Sequence, residues 1–207
     1  MIRQQIQQAQ NQGEKMFKSF LVSAALVVAA VTSQAHTTTL AESILAAQLP
    51  HIQDGVVTEG LNWKVGDECN YKLNMGGFID GTMKMSVREI GADGIWLVQD
   101  VDLSVQKQKI EVLLDQNTGK IKKMIVNGKE QEPPKADYQL IEQKEDKVTV
   151  PAGTFDVIYL KIKDNANNGQ ISEQWVNPRD IPISGMVKSL ADSQIGKVTI
   201  ELTSFKK

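Results

Sequence analysis

From residue 61 onward, apolar and polar positions alternate with a period of two, and Gly, Asn or Asp interrupts each run. Successive side chains of a strand point to opposite faces, so this period predicts half-buried strands joined by tight turns. Cys69, Tyr71, Leu73 and Met75 alternate with Asn70, Lys72 and Asn74 as far as Gly76-Gly77. Met83, Met85 and Val87 alternate with Thr82, Lys84, Ser86 and Arg88 up to the turn at 91–94. Ile95, Leu97, Val101, Leu103 and Val105 form the next row, with Trp96 and Val98 on its reverse face, which predicts a long strand with room to bend. Ile110, Val112 and Leu114 follow, then a turn from Asp115 to Gly119, a strand over 121–126, and Asn127-Gly128.

The strongest strand pattern lies within 148–189. Phe155, Val157 and Tyr159 point one way while Ile158, Leu160 and Ile162 point the other, so both faces are apolar and 155–163 is expected to be an interior, central strand. The polar stretch from Asp164 to Gly169 predicts a hairpin tip, and 171–176 a returning strand that ends at Asn177-Pro178. Further strands are expected over 138–143, 147–150 and 197–205, with Pro133-Pro134 marking a long inter-strand loop rather than a domain boundary. Only 38–49 carries a helical pattern: a threonine caps it, Leu40, Ile44, Ala47 and Leu49 lie on related faces, and Pro50 stops it.

About nine or ten strands with one apolar face each cannot leave that face wet, and one short helix is available to cover it. The expected fold is therefore mainly β: a strongly curved antiparallel sheet, a half-barrel, with the short N-terminal helix across its open side. A two-sheet sandwich is the alternative.

The first 35 residues stand apart. Lys15 and Lys18 precede an apolar run from Phe20 to Val31 and then Ser33-Gln34-Ala35, the order of a cleavable secretory signal peptide, so the mature chain is expected to begin at His36. The run is shorter than the ~20 residues a membrane span needs, and no basic cluster follows it. The Gln-rich stretch 2–12 reads as a long leader or an upstream start, with Met16 as the true start. The expected organisation is a signal peptide over 1–35, a short helix and linker over 36–60, and an antiparallel β domain over 61–207. Export through this leader places the protein in the periplasm, without stable membrane insertion.

The whole chain has 23 basic and 25 acidic residues, and cleavage would leave 20 against 24, a net charge of −4. A mildly acidic domain with no basic block is a poor nucleic-acid binder. Cys69 is the single cysteine, so no intramolecular disulfide can form, and it lies too far from the cleavage site to take an N-terminal lipid. A small buried apolar role is expected for it.

No catalytic constellation emerges, and neither a cofactor nor a metal ligand set is expected. His36 and His51 sit at the mature end and in a polar connection. Asp164 to Trp175 has Asp first and Gly sixth, as a calcium loop does, but Ala166 and Trp175 stand where oxygen ligands are required. Met75, Met83, Met85, Met124 and Met186 lie in or beside strands, where β-branched residues are the default. Thioethers adapt to irregular or exchangeable apolar contents, so these methionines fit either an acyl-chain pocket or an imperfect core. The apolar loop 181–187, interrupted by Pro182 and Gly185, fits either a pocket lip or a lid folded back on the core, the second being preferred.

Several segments together resemble the LolA/LolB-like group of periplasmic lipoprotein carriers. They are the leader, the one-face-apolar strands, the Asp115 to Gly119 turn followed by Ile121-Lys122-Lys123-Met124, Val150-Pro151-Ala152-Gly153-Thr154-Phe155, and Gln174-Trp175-Val176-Asn177-Pro178 leading into 181–188. The resemblance covers most of 60–207. It implies a half-barrel closed by helical elements, with a hydrophobic cavity that receives lipoprotein acyl chains in carrier members. No functional residue is transferred, because neither Arg88 nor Arg179 falls in a shared motif.

The expected function is that of a non-enzymatic periplasmic protein binding a lipid, acyl chain or other apolar ligand in the concavity of the sheet. The expected lining is Tyr71, Leu73, Met75, Met83, Met85, Ile110, Val112 and Leu114, an apolar set with few fixed polar groups. The alternative is a cell-envelope structural or protein-interaction module whose core is filled by its own side chains, with an envelope protein as partner.

Overall fold

The computed structural model describes residues 63–104, 106–133, 137–166, 169–193 and 196–207. The leader, its cleavage site, His36, His51 and the helix expected over 38–49 lie outside the described residues.

The described strands are β1 (Glu68–Met75), β2 (Ile79–Gly91), β3 (Gly94–Leu103), β4 (Gln106–Leu114), β5 (Ile121–Val126), β6 (Lys129–Gln131), β7 (Tyr138–Val150), β8 (Gly153–Asp164), β9 (Gln170–Val176), β10 (Met186–Ser193) and β11 (Gly196–Lys206). They form one curved 11-stranded antiparallel sheet, in the order β6-β5-β4-β3-β2-β1-β11-β10-β9-β8-β7, that does not close on itself. A single sheet replaces the sandwich alternative. The chain winds outward from β1 to β6, crosses to the opposite edge, and winds inward from β7 until β11 pairs with β1. Residues far apart in sequence thus meet at the centre: Leu73 lies opposite Ile200 and Met75 opposite Val198.

The strand pattern departs from expectation at four places, the first being β10, for which no strand was expected and whose Met186 and Val187 fall in the loop expected over 181–187. The runs expected over 138–143 and 147–150 are one strand, β7, which carries a bulge between Leu140 and Glu142. Its middle is charged because it is an edge, exposed on both faces, and so has no apolar period to read. β6 has only three residues, too short to show a period. β8 is interior, as its two apolar faces require, but it is the last strand before the β7 edge rather than a central one.

Turn chemistry matches the turns. Asp115 Oδ1 accepts from the Thr118 backbone amide at 2.9 Å and from Thr118 Oγ1 at 3.0 Å, and Gly119 follows at a φ of 68°. That side-chain turn reverses β4 into β5. At Gly94 the need for glycine is steric: a Cβ there would stand 2.0 Å from the Leu114 carbonyl oxygen, and φ is 137°. β3 can meet β4 this closely only without a side chain at that position.

Candidate functional site: the inner face of the sheet

One face of the sheet, here called the inner face, gathers the apolar rows. Cross-strand register makes Leu202, Tyr71, Met83, Val101 and Gln108 successive neighbours from β11 to β4. The adjoining row runs Cys69, Met85, Gln99, Ile110 and Val126. Val87, Leu97, Val112 and Met124 form the next, and Leu73, Ile200, Ser189, Gln174 and Leu160 carry the face into the other half of the sheet. All eight residues expected to line a concavity share this face: Tyr71, Leu73, Met75, Met83, Met85, Ile110, Val112 and Leu114 are each at most 2 % exposed.

The face is less purely apolar than the sequence suggests. Gln99, Gln174 and Ser189 are buried in the middle of these rows, and Gln108 at the end of one. The signal for them was parity: Gln99 lies between Leu97 and Val101 at the same period-two positions, Gln108 precedes Ile110, and Gln174 precedes Val176. Gln131, opposite Met124 at the β6 edge, keeps Oε1 buried with no hydrogen-bond partner among the described residues. Such an atom costs about 1–3 kcal/mol unless something donates to it.

Residues Asn177 to Gly185 fold back over one end of the face. Asn177 is the organiser: its amide donates to Gly185 O at 2.7 Å, its Nδ2 to Asp156 O at 3.0 Å, and its Oδ1 accepts from the Asp180 amide at 2.9 Å. Ile183 adopts a φ of 60°, and a Cβ on Gly185 would meet the Pro178 backbone at 2.7 Å. Every residue from Ile181 to Val187 is buried, so this stretch is a lid on the core rather than a free lip. Cys69 Sγ donates to Pro182 O at 3.5 Å and the Tyr71 hydroxyl to Met186 O at 3.1 Å, tying the lid to β1.

Burial pushes the Cys69 thiol up to about 12 and the Tyr71 hydroxyl well above its ordinary value, so both are neutral at physiological pH and neither is an activated nucleophile. Among the described residues no three His, Cys, Asp or Glu side chains are placed to hold a metal ion. What this face offers is apolar surface, deformable thioethers and a few carboxamides.

The outer face is charged, with ion pairs both between strands, as Lys72 to Glu201, and along them, as Lys144 to Glu142. It carries an open groove of about 580 Å³ whose walls include Asn70, Thr82, Lys84, Asp100, Asp102 and Lys109. Lys84 pairs with Glu68 at 2.7 Å and Lys107 with Asp102 at 2.7 Å, leaving mixed charge of both signs.

No protein-family model matches the chain, and no curated protein does. Among solved structures, the crystal structure of MucB is similar, at 12 % identity and a TM-score of 0.39, over 78 % of this chain and 57 % of MucB. This chain therefore spans less than two thirds of MucB's length, and a likeness of that degree carries nothing about function.

Proposed function

We propose that the chain is an exported, non-enzymatic periplasmic protein of LolA/LolB-like type whose curved sheet holds a lipid, acyl chain or other apolar ligand against its inner face. The observation that supports this most is the alignment of Met75, Met83, Met85, Met124 and Met186 on one face of one sheet. Thioether side chains reshape around apolar contents at little cost, where β-branched residues would hold one shape. The buried Gln131 Oε1 supports a ligand with an apolar body and a polar end, since a donor there would satisfy it.

A second reading, an envelope interaction module with a self-filled core, is favoured by the burial of the same methionines to 1 % exposure or less. One variant separates the two. In a ligand pocket, Met85→Trp abolishes binding of a fluorescent fatty acid with little loss of stability. In a packed core it lowers stability by about 1–3 kcal/mol through overpacking. A parent protein that binds no fatty acid, together with a strongly destabilised variant, decides for the interaction module. Export has its own test: N-terminal sequencing of protein from the envelope fraction is expected to start at His36, and an intact leader there contradicts it.

A further inference from the structure

Among the described residues the sheet ends in two edges of very different character. β6 offers three residues, whereas β7 offers 13, and Gln139 through Lys147 are exposed without a break. Leu140 and Ile141 are 51 % and 49 % exposed there. Among the described residues no strand pairs with the outer side of β7. A long edge strand presents a row of backbone donors and acceptors that another strand can complete.

Charges on an edge ordinarily discourage such pairing, because an arbitrary partner sets like charges opposite each other. Within the charged stretch 142–147 of β7, the order of charges permits one self-pairing. Two copies joined antiparallel through the same edge are related by a two-fold axis perpendicular to the sheet, which preserves the face each side chain occupies. Directly opposed residues must lie on the same face, so the axis must pass through a residue rather than between two. Within Glu142-Gln143-Lys144-Glu145-Asp146-Lys147, every centre except Gln143 would set a charge against its own copy. Centring on Gln143 instead sets Glu142 opposite Lys144 of the second copy, and Lys144 opposite its Glu142. These two residues already form an ion pair at 2.8 Å along the strand, at 44 % and 56 % side-chain exposure, and Lys144 Nζ also sits 4.7 Å above the Tyr159 ring. The four charges would then alternate in sign around a square that ends at the bulge between Leu140 and Glu142.

We propose that β7 is a self-association edge: two copies of this chain join antiparallel about Gln143 and continue one sheet into the other. A single strand pair buries less than the ~1,200 Å² of a stable interface, so the dimer is weak and reversible. Sedimentation equilibrium of the full chain from micromolar to millimolar concentration tests it by charge exchange. The parent protein is expected to dimerise, whereas Glu142→Lys and Lys144→Glu, each of which opposes like charges in its own dimer, associate at least about tenfold more weakly. An equimolar mixture of the two variants restores association, because every opposed pair is then of unlike sign. The double exchange E142K/K144E also dimerises and serves as the control if a single variant folds poorly. A parent that stays monomeric throughout, single variants that associate like the parent, or a mixture no tighter than its components would each overturn the proposal.

Discussion

Cys69 and Gly94 are two residues whose surroundings dictate an outcome that can be measured. The thiol is 0 % exposed and held near 12 by burial, against an ordinary value of 9.0, so a thiol reagent at pH 8 is expected to leave the folded protein unmodified and to react fully after denaturant is added. A group whose folded value is raised keeps its proton longer in the folded state than in the unfolded one. The thiol therefore leaves stability unchanged below pH 9 and lowers it as pH climbs from 9 toward 12, with Tyr71 acting in the same direction. Denaturation midpoints measured across that window should fall less steeply in Cys69→Ala than in the parent. At Gly94 the carbonyl of Leu114 occupies the place of a side chain, so Gly94→Ala is expected to cost about 2–4 kcal/mol in urea unfolding. Burial of Cys69 was legible in its period-two row. The closeness of Leu114 to Gly94 was not, because it depends on how β3 and β4 are paired. Gln99 falls between these cases: it shares the parity of Leu97 and Val101, but it was not expected on the inner face because its polar side chain breaks the apolar row.

Strands show how far a period-two pattern reaches. It located β1 to β5, β8, β9 and β11 because each has an apolar face that must be hidden; it failed at the middle of β7 and at β6, where pairing holds the strand without burial, and at β10, where Ser189 takes an inner-face position. Pattern also said nothing of the outer face, where Lys144, Tyr159, Trp175, Lys188, Glu201 and Lys72 stand in register from β7 to β1. Tyr159 and Trp175 meet edge to face at 5.2 Å, Lys188 Nζ lies 5.7 Å from the Trp175 ring centre, and Trp175 Nε1 donates to Asp146 Oδ2 at 2.9 Å. Glu201 receives Lys72 at 2.7 Å and Lys188 at 2.9 Å. Partial burial works against the Glu201 anion, but the two ammonium hydrogen bonds outweigh it and hold the carboxyl below its ordinary value. A lowered folded value stabilises the protein above the ordinary carboxylate range and is lost as pH falls through the folded value. Glu201→Gln is therefore expected to lower stability by roughly 0.5–1 kcal/mol at pH 7 and by less at pH 3, read from denaturation midpoints at both. Trp175→Leu removes the ring contact, the cation and the hydrogen bond together, and about 1–2 kcal/mol with them at pH 7.

At the scale of the whole molecule, the order of strands matters more than any one contact. Because β1 and β11 are neighbours, the join between the two halves of the sheet is made by its first and last strands. Neither half can be completed locally, and the curvature of the sheet was deduced from the lack of covering layers rather than from any residue. The inner-face core crosses the join: Tyr71, Leu73 and Met75 on β1 face Leu202, Ile200 and Val198 on β11, and all six are at most 3 % exposed. Amides at this join can exchange with solvent only when the two halves separate, which amounts to unfolding the domain. Amides of β7 have one paired side and exposed side chains, and they can open with that edge alone. Native-state hydrogen exchange is therefore expected to show Leu73 and Ile200 exchanging with the free energy of global unfolding and following denaturant with its full slope. Residues Gln143 to Asp146 should exchange several kcal/mol more readily and with little dependence on denaturant. Removing β11 by ending the chain at Ser193 should abolish cooperative unfolding altogether rather than leave a folded half, because β1 and β10 would both lose their inner neighbour at once. Equal protection at the join and at the β7 edge, or a sharp transition in the truncated chain, would mean that the two halves hold their structure independently of the strands that unite them.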